Sequence, residues 1–477
     1  MRGNRSGKRG GNSLRTVVVL GVLAGGLAAF APSVGASVST PPGGALYVNT
    51  NGGVDSGTCR LSTNPCATIS YALTEASPSA TIHVAAGTYA EQLVITQAVS
   101  IVGAGASTII EPDSLPVADT DTDSSEPQYA IVDIPSATDV NLKDLTINGT
   151  DAEGQFTGCG PDFVGVYYHD SSGSLTAVGV QQIRLPLADY GCQDGQGVYV
   201  ASDANTTSNV TMTAVSVTNY DKNGITCDDA GTTCSVTRST MTGIGSTDLI
   251  AQNGFQGYNA ASVTLTHNTV TDNSYNGGGP GNSASGLLIY DVGTLTATNN
   301  VVSDNDVNVY LGSDGTGPAE GAWTFSSNTV RGATDNVAGG ETQYGDGIQI
   351  DSTSNALTVS SNIVTGSAEN GISLLGVIGA TISGNTASAN TDNGIYVGGP
   401  GPSLGTGSSG NTVNGNIAKN NGNDGILADT DATSNTFSSN TTGHNSAYDL
   451  EDLGASNIWT HNGCEPKFDS SPAGLCG

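Results

Sequence analysis

A short phrase of glycine followed by alternating apolar residues recurs along the chain. Each copy is typical of a short strand in which every second side chain is buried. Repeated strand phrases predict stacked coils rather than independent domains, because each coil in such a fold contacts only its neighbours. The copies begin at Gly165, Gly197, Gly224, Gly254, Gly286, Gly347, Gly371, Gly394 and Gly425.

A second alternating strand follows the copies and ends at an asparagine, as in residues 263–268 and 295–300. The distance between successive asparagines varies, so we expect loops of variable length between equivalent strands. Stacked coils would pair each strand with its copy in the next coil and enclose one core around a central axis. The asparagines expected at one structural position are Asn268, Asn300, Asn328, Asn362, Asn385, Asn416 and Asn440.

This pattern resembles the right-handed parallel β-helix of the pectin lyase-like superfamily, and Asn268 to Asn440 are similar to the internal asparagine ladder of that family. The resemblance covers residues 111–460 and implies an all-β solenoid. It also implies a cleft along the first sheet, walled by long loops, and we expect the site between Tyr167 and Asp351. It specifies the architecture better than the reaction, because one fold hosts many activities.

The remaining segments are interpreted separately. Residues 1–36 are predicted to be a signal peptide, since basic residues precede an apolar run and Ala36 follows at a plausible cleavage site, so we expect a secreted protein. Residues 37–110 are predicted to form an N-terminal cap and the first coils, with a helix over 67–76 plugging the open end. Residues 461–477 are predicted to form a C-terminal disulfide loop.

The 8 cysteines form an even set, which predicts disulfides in an exported chain. Three pairs are close enough in sequence to close small loops, and one pair remains. The predicted pairs are Cys59 with Cys66, Cys227 with Cys234, Cys464 with Cys476, and Cys159 with Cys192.

Charge excludes several classes of protein. The formal net charge is -30, with 43 acidic and 13 basic residues, which excludes a nucleic-acid binder of the basic-patch kind. No apolar run after the predicted signal peptide approaches the roughly 20 residues that a membrane span needs. A surface with this much negative charge repels polyanions unless divalent cations bridge them. The simpler interpretation is that the acidity keeps an extracellular protein soluble.

Outward-facing residues of the glycine phrases are expected to stack from coil to coil in two rows. Tyrosines along such a face suit stacking against sugar rings, which predicts a polysaccharide partner. The alternative is that aromatic pairs only stabilise the sheet. The predicted substrate-binding residues are Tyr167, His169, Tyr199, Gln256, Tyr258, Tyr290, Tyr310, Gln349 and Asp351.

Two chemistries are open for a catalytic site. A lyase needs a base and a group that neutralises a uronate carboxylate, often Ca²⁺, whereas a glycoside hydrolase needs paired carboxyl groups. Asp228 and Asp229 are candidate Ca²⁺ ligands, and we expect no organic cofactor. The candidate catalytic residues are Lys222, Asp221, Asp228, Asp229, Arg184 and Asp194.

The motifs of the resembled families are incomplete. Arg184 begins half of a pectate lyase pattern, but Asp189 stands where a second arginine is needed. Asp346 to Asp351 resembles a polygalacturonase strand, but Glu369 and Asn370 replace the aspartate pair in the next coil. The Gly-His-Gly and Arg-Ile-Lys segments are absent. A polygalacturonase is therefore not favoured.

Three functions remain open. The first is a polysaccharide lyase or glycoside hydrolase that acts on an extracellular glycan. The second is a carbohydrate-binding, adhesion or structural β-helix protein without catalysis. The third is an ice-binding or purely structural repeat, which we rank last because the threonines are irregularly spaced in the sequence. The oligomeric state is open as well.

Overall fold

The computed structural model describes residues 43–120, 127–150, 152–160, 162–259, 261–277, 283–313, 321–334, 345–354, 356–400, 405–465 and 469–477. The predicted signal peptide lies outside these residues. All but one of the strand pairings between neighbouring coils are parallel, and the described chain is almost entirely strands and turns. The predicted all-β parallel solenoid is therefore confirmed.

The strands form three ladders, one on each face of the coil. The first face contains Leu93–Val94, Pro127–Pro135, Asp162–His169, Gln196–Ala201, Asn223–Cys227, Asn253–Gly257, Ser285–Tyr290, Val307–Gly312, Ile348–Asp351, Ile372–Leu375, Ile395–Gly398, Ile426–Ala428, Leu450–Asp452 and Ser470–Ser471. The second face contains Ala45–Val48, Ala80–Val84, Val99–Val102, Ser208–Thr213, Thr232–Thr237, Ser262–Thr266, Thr294–Thr298, Trp323–Ser326, Leu357–Ser360, Thr381–Ser383, Thr412–Asn414, Thr436–Ser438 and Ile458–Thr460. The third face contains Gly87–Tyr89, Thr108–Ile110, Ser216–Tyr220, Thr240–Thr247, Thr269–Tyr275, Val301–Ser303, Thr329–Arg331, Ile363–Thr365, Thr386–Ser388, Ile417–Lys419, Thr441–Gly443 and Gly463–Glu465.

Two long strands, Val140–Asn148 and Ser172–Ile183, bend from the second face into the third. One short strand, Asp119–Thr120, instead pairs antiparallel with Pro127–Pro135 at the edge of the first face. The ladders continue through both predicted domain boundaries, since Val99–Val102 pairs with Val140–Asn148 and Thr441–Gly443 pairs with Gly463–Glu465.

Alternate side chains point into one continuous core. Large aromatic residues fill part of it, including Trp323, Phe325 and Phe437, which are fully buried. The indole N–H of Trp323 donates to the carbonyl of Val292 at 3.0 Å, so its only polar group is satisfied. Each such side chain contributes about 1.5–3 kcal/mol when removed from water.

The predicted asparagine ladder is confirmed and extends by one residue to Asn462. Each side-chain amide donates to the side-chain oxygen of the next member at 2.9–3.1 Å, and that oxygen also accepts the backbone N–H of the donating asparagine. The residue before the asparagine is often left-handed, as at His267 (φ 57°) and Ser361 (φ 57°). The ladder thereby satisfies buried polar groups at the bend between the second and third faces.

The N-terminal cap contains the helix Ile69–Glu75, shorter than predicted. Thr68 caps it by accepting the N–H of Tyr71, and the Glu91 carboxylate accepts the N–H groups of Ile69 and Ser70. Two 3-10 helices, Glu153–Gln155 and Leu187–Cys192, lie in loops. No helix in the described part of the chain is long and apolar enough to cross a membrane.

All four predicted disulfides are confirmed. They join Cys59 to Cys66, Cys159 to Cys192, Cys227 to Cys234, and Cys464 to Cys476.

The second face carries a regular array of hydroxyl side chains, with Asn414 as an exception, which the irregular spacing of threonines in the sequence did not predict. Loop lengths make the threonines irregular in sequence, but strand pairing places them in two straight rows. Rows are spaced about 6.6 Å along the strand and residues about 4.8 Å between coils. One row is Thr211, Ser235, Thr264, Thr296, Thr324, Thr358, Thr381, Thr412 and Thr436; the other is Thr213, Thr237, Thr266, Thr298, Ser326, Ser360, Ser383, Asn414 and Ser438.

Candidate functional site

A groove of about 1010 Å³ lies along the outer side of the first face. Its floor is formed by strand residues of successive coils from Asn253 to Tyr396, and its walls by loop residues such as Gln193, Leu249 and Pro400. The predicted cleft began earlier, at Tyr167, and ended earlier, at Asp351. The groove therefore overlaps the C-terminal part of the predicted region and extends past it to Tyr396 and Pro400, although Gln193 and Leu249 of earlier loops contribute to its walls.

The predicted outward rows are confirmed by the strand register, which pairs Tyr167 with Tyr199, and Tyr310 with Gln349. Within the groove, the rings of Tyr258 and Tyr290 lie 5.8 Å apart, and those of Tyr290 and Tyr310 lie 6.5 Å apart. These three rings form an aromatic platform along the direction in which the coils stack. The spacing suits an extended ligand with several apolar ring faces.

Asp346 is a buried carboxyl group in the lining of the groove. One of its oxygens accepts the backbone N–H and the side-chain amide of Asn370 at 2.9 and 3.0 Å, and the other accepts the Ser373 hydroxyl. Burial raises the pKa of Asp346 to about 6, and these hydrogen bonds oppose part of the rise. The group is therefore half protonated in mildly acidic solution, as a general acid requires.

Glu369 supplies a second carboxyl group in the next coil. Its backbone N–H donates to the carbonyl of Gly345 at 3.0 Å, which aligns it with the residue just before Asp346. Glu369 thus lies one coil, about 4.8 Å, beyond Gly345; its carboxylate accepts the Gly345 N–H at 3.4 Å, whereas Asp346 lies directly beside Asn370. Asp351 lies farther along the strand, where it accepts the Tyr310 hydroxyl at 3.0 Å, and burial raises its pKa.

Lys222 is the one cationic side chain among the described residues that line the groove. Its Nζ donates to the carbonyl of Ala251 at 2.9 Å, and burial lowers its pKa to about 8. An ammonium group with this pKa is partly neutral above pH 8 and can then accept a proton. The prediction of Lys222 as a base thus has a physical basis, although no carboxylate forms an ion pair with it in the described chain.

The structure does not bring the other predicted catalytic residues into this groove. Asp221 is buried and accepts the N–H of Leu185 at 2.6 Å. Asp228 accepts the N–H of Asp229, whose own carboxylate accepts the N–H of Ser202 at 3.3 Å. These acids secure turns, which is a common use of aspartate, and none of the three is among the residues that line the groove.

Arg184 and Asp194 also lie outside the lining of the groove. The guanidinium of Arg184 lies 4.8 Å from the centre of the Tyr190 ring, and Asp194 is buried in the same loop. The loop that contains them contributes Gln193 to the groove wall instead.

Tyr167, His169 and Tyr199 form a separate aromatic stack on earlier coils of the first face. The Tyr167 ring lies 5.0 Å from that of Tyr199 and 5.2 Å from that of His169. All three are buried, so they are not an open platform for sugars. The remaining predicted binding residues, Gln256, Tyr258, Tyr290, Tyr310, Gln349 and Asp351, all line the groove.

Several lining residues were not selected from the sequence. Ser373 and Tyr396 stand in the predicted first row and were recoverable from the repeat, whereas Tyr275 ends a third-face strand and carries no periodic signal. The Tyr396 hydroxyl donates to Asp429 at 2.6 Å, which fixes its ring at the C-terminal end of the groove.

Comparisons with known proteins concern the architecture. The family described as "Right handed beta helix region" matches residues 196–377 and 285–466. No curated protein matches the chain. Among solved structures, the pre-mature bacteriophage phi29 gene product 12 has a TM-score of 0.52 at 10% identity, covering 80% of this chain and 51% of that chain.

Two other solved structures are less similar in overall shape. The periplasmic alginate epimerase AlgG has a TM-score of 0.42 at 10% identity, covering 80% of this chain and 77% of that chain. The A-module of the Azotobacter vinelandii mannuronan C-5 epimerase AlgE6 has a TM-score of 0.36 at 14% identity, covering 81% of this chain and 85% of that chain. At these identities the likeness concerns the fold alone. Since the two family matches together span more than half of the chain, the protein belongs to the right-handed β-helix family.

Proposed function

We propose that the protein binds a polysaccharide in the groove and hydrolyses its glycosidic bonds, with Asp346 and Glu369 as the reacting carboxyl groups. The observation that carries this proposal is that two carboxyl groups, buried Asp346 and Glu369 of the next coil, both line a groove with an aromatic platform. Paired carboxyl groups on either side of a sugar bond are the usual machinery of glycoside hydrolysis.

In this proposal Asp346 is the general acid. Burial holds it protonated to a higher pH than an exposed aspartate, so it can give a proton to the departing sugar oxygen. Glu369, which is only partly buried, is the carboxylate that stabilises the developing positive charge or activates water. The Tyr258, Tyr290 and Tyr310 rings hold neighbouring sugar units along the groove.

The charges of the groove favour a neutral glycan. Asp346, Asp351 and Glu369 line it together with one ammonium group, that of Lys222. A polyuronate would be repelled by this surface and by the net charge of -30. The four disulfides support an oxidising, extracellular place of action.

The test is a panel of neutral polysaccharides and polyuronates, assayed for reducing ends and for the ultraviolet absorbance of unsaturated uronates, with and without Ca²⁺. We expect reducing ends from a neutral glycan and a loss of at least about 100-fold in Asp346→Asn, since general acids contribute 10²–10⁴-fold. Asp139→Asn, at an exposed turn, is the matched control.

The alternative outcomes separate the competing functions. Unsaturated products lost in Lys222→Met would show β-elimination and contradict hydrolysis. Glycan binding without products, weakened in Tyr290→Ala, would show a carbohydrate-binding protein and contradict catalysis.

A second candidate function, ice binding, rests on the hydroxyl rows of the second face. Strands of that face from Ser208–Thr213 to Ile458–Thr460 contain no charged residue, although the chain has 43 acidic ones. A flat lattice of hydroxyl and methyl groups suits an ordered layer of water. Thermal hysteresis that is lost in Thr324→Lys but kept in Thr329→Lys, on the third face, would support this function. Absence of hysteresis in the native protein would exclude it.

A further inference from the structure

A cluster of one histidine and several carboxylates lies on the first face, several coils before the groove. The Nδ1 atom of His169 lies 2.7 Å from Oδ2 of Asp119, and its Nε2 atom lies 3.0 Å from Oδ1 of Asp203. Ligand atoms of His169, Asp170 and Asp203 all lie within 4.8 Å of one another. His169 is itself buried and stacks on Tyr167, so its ring is held in one orientation.

A buried carboxyl group, that of Asp133, lies beside this cluster. Asp133 is 0% exposed, and neither of its side-chain oxygens accepts a hydrogen bond of ordinary geometry, although the backbone N–H of Ile134 favours its charged form. Strand pairing places Asp133 directly beside Tyr167, on the same outward side of the sheet, and it interacts electrostatically with Asp119 and His169. A buried carboxylate with so few polar contacts is costly, and a cation bound nearby would reduce that cost.

The charge around His169 is strongly negative. Asp119, Asp170 and Asp203 act on the single imidazole of His169, which also interacts with the carboxyl group of Asp133. Even a protonated imidazole would leave this group several charges short of neutrality.

We propose that this cluster is a divalent metal site, selective for Zn²⁺, in which His169 Nε2, Asp203 and Asp170 are the ligands. Two atoms 3.0 Å apart can share one zinc ion at about 2.0–2.2 Å from each. Asp119 is then the carboxylate that accepts the Nδ1–H and directs Nε2 toward the metal, as is usual for metal-bound histidines. A nitrogen ligand favours Zn²⁺ over Ca²⁺, which takes oxygen ligands.

Asp170 is already oriented for this role. One of its oxygens accepts the N–H of Asp203 at 2.9 Å and the Thr206 hydroxyl, which ties the two carboxylates into one turn. The metal would connect this turn to His169 and, through Asp119, to the antiparallel strand Asp119–Thr120. The bound metal would thus hold these loops against the first face. The proposed site is independent of the proposed hydrolysis.

The experiment uses the full-length protein, stripped with a chelator and titrated with Zn²⁺ and, separately, Ca²⁺ by calorimetry, with metal content measured after dialysis. We expect one Zn²⁺ per chain, no comparable Ca²⁺ binding, and a higher Tm with Zn²⁺. Co²⁺ in place of Zn²⁺ should give the visible absorption of a low-coordinate nitrogen and oxygen site.

Variants distinguish the proposed ligands from adventitious binding. His169→Gln and Asp203→Asn should each abolish the stoichiometric Zn²⁺ and the Co²⁺ absorption, whereas Asp119→Asn should weaken binding by about 10–100-fold. His83→Gln, at an exposed histidine stacked on Tyr47, is the control and should bind normally. Absence of stoichiometric Zn²⁺ in the native protein, or unchanged binding in His169→Gln with native circular dichroism, would overturn the proposal.

Discussion

At the residue scale, the carboxyl of Asp346 lies among three hydrogen-bond donors and almost no water. The donors favour the charged form, but the loss of water disfavours it more, and the pKa rises to about 6. Burial raises the pKa of Asp424 to about 6 in the same way, three coils further along the first face. Buried acids in this protein therefore hold protons that they would release in the unfolded chain.

These raised pKa values predict that stability falls as the pH rises from about 4 to about 6. Between the unfolded and folded pKa values the folded state binds more protons, so the free energy of unfolding decreases with increasing pH. For Asp346 alone the difference is on the order of 2–3 kcal/mol. The measurement is Tm against pH for the native protein and Asp346→Asn.

Between about pH 4 and pH 6, the Tm of Asp346→Asn should fall less than that of the native protein. The Tm of Asp139→Asn, changed at an exposed turn, should fall as much as that of the native protein. A pH profile identical in the native protein and Asp346→Asn would contradict the raised pKa. In the assay for hydrolysis, activity should also fall as the pH rises through about 6, because the general acid is then deprotonated.

At the scale of the structural element, the asparagine ladder joins coils that differ in loop length. The Asn362 amide donates to the Asn385 side chain and to the Phe325 carbonyl, and its oxygen accepts two hydrogen bonds from Asn328. Neither the amide nor its partners can reach water, since these residues are buried. One side chain thus satisfies groups in three successive coils.

Replacing Asn362 by alanine should destabilise the protein by roughly 3 kcal/mol or more, because buried groups left without partners cost about 1–3 kcal/mol each. Asn414→Ala, at an exposed position of the second face, is the matched control and should have little effect. The measurement is the urea midpoint followed by circular dichroism. Equal midpoints for the two variants would show that the ladder is not stabilising.

At the scale of the whole molecule, a stack of coils has two ends whose strand edges can pair with another chain. The helix Ile69–Glu75 protects the N-terminal end by burying Ile69 and Ala72 against the core. This protection is separate from the stability of the coils themselves, because each coil depends on its neighbours.

Displacing this helix should therefore produce association rather than simple unfolding. Ile69→Asp places a charge in the buried interface of the cap, and we expect larger species by size-exclusion chromatography with light scattering. Thr74→Asp, on the exposed side of the same helix, should elute as the native protein does. A monomeric Ile69→Asp variant with native elution would contradict the protective role.

The sequence was sufficient for the fold and insufficient for much of the site, for one physical reason. Strand register follows from glycine, alternation and asparagine, so the rows containing Tyr258, Tyr290 and Gln349 were predictable. Loop paths do not follow from periodicity. Asp228 is close to Lys222 in sequence, yet it secures a turn outside the groove. Conversely, Asp119 contacts His169 although 50 positions separate them in sequence. Asp119 belongs to an antiparallel strand that the repeat pattern does not predict.

The constancy of the register across loops of different length has a further consequence for how such a molecule can be altered. A much longer stretch of chain connects Tyr310 to Gln349 than connects Gln349 to Ser373, yet each pair lies side by side. Insertions and deletions between coils therefore change the rim of the groove and leave the positions of its floor residues in place. The loops of the rim can therefore be exchanged, whereas the strands of the floor must keep their geometry. New rim loops can be grafted onto the same stack of strands.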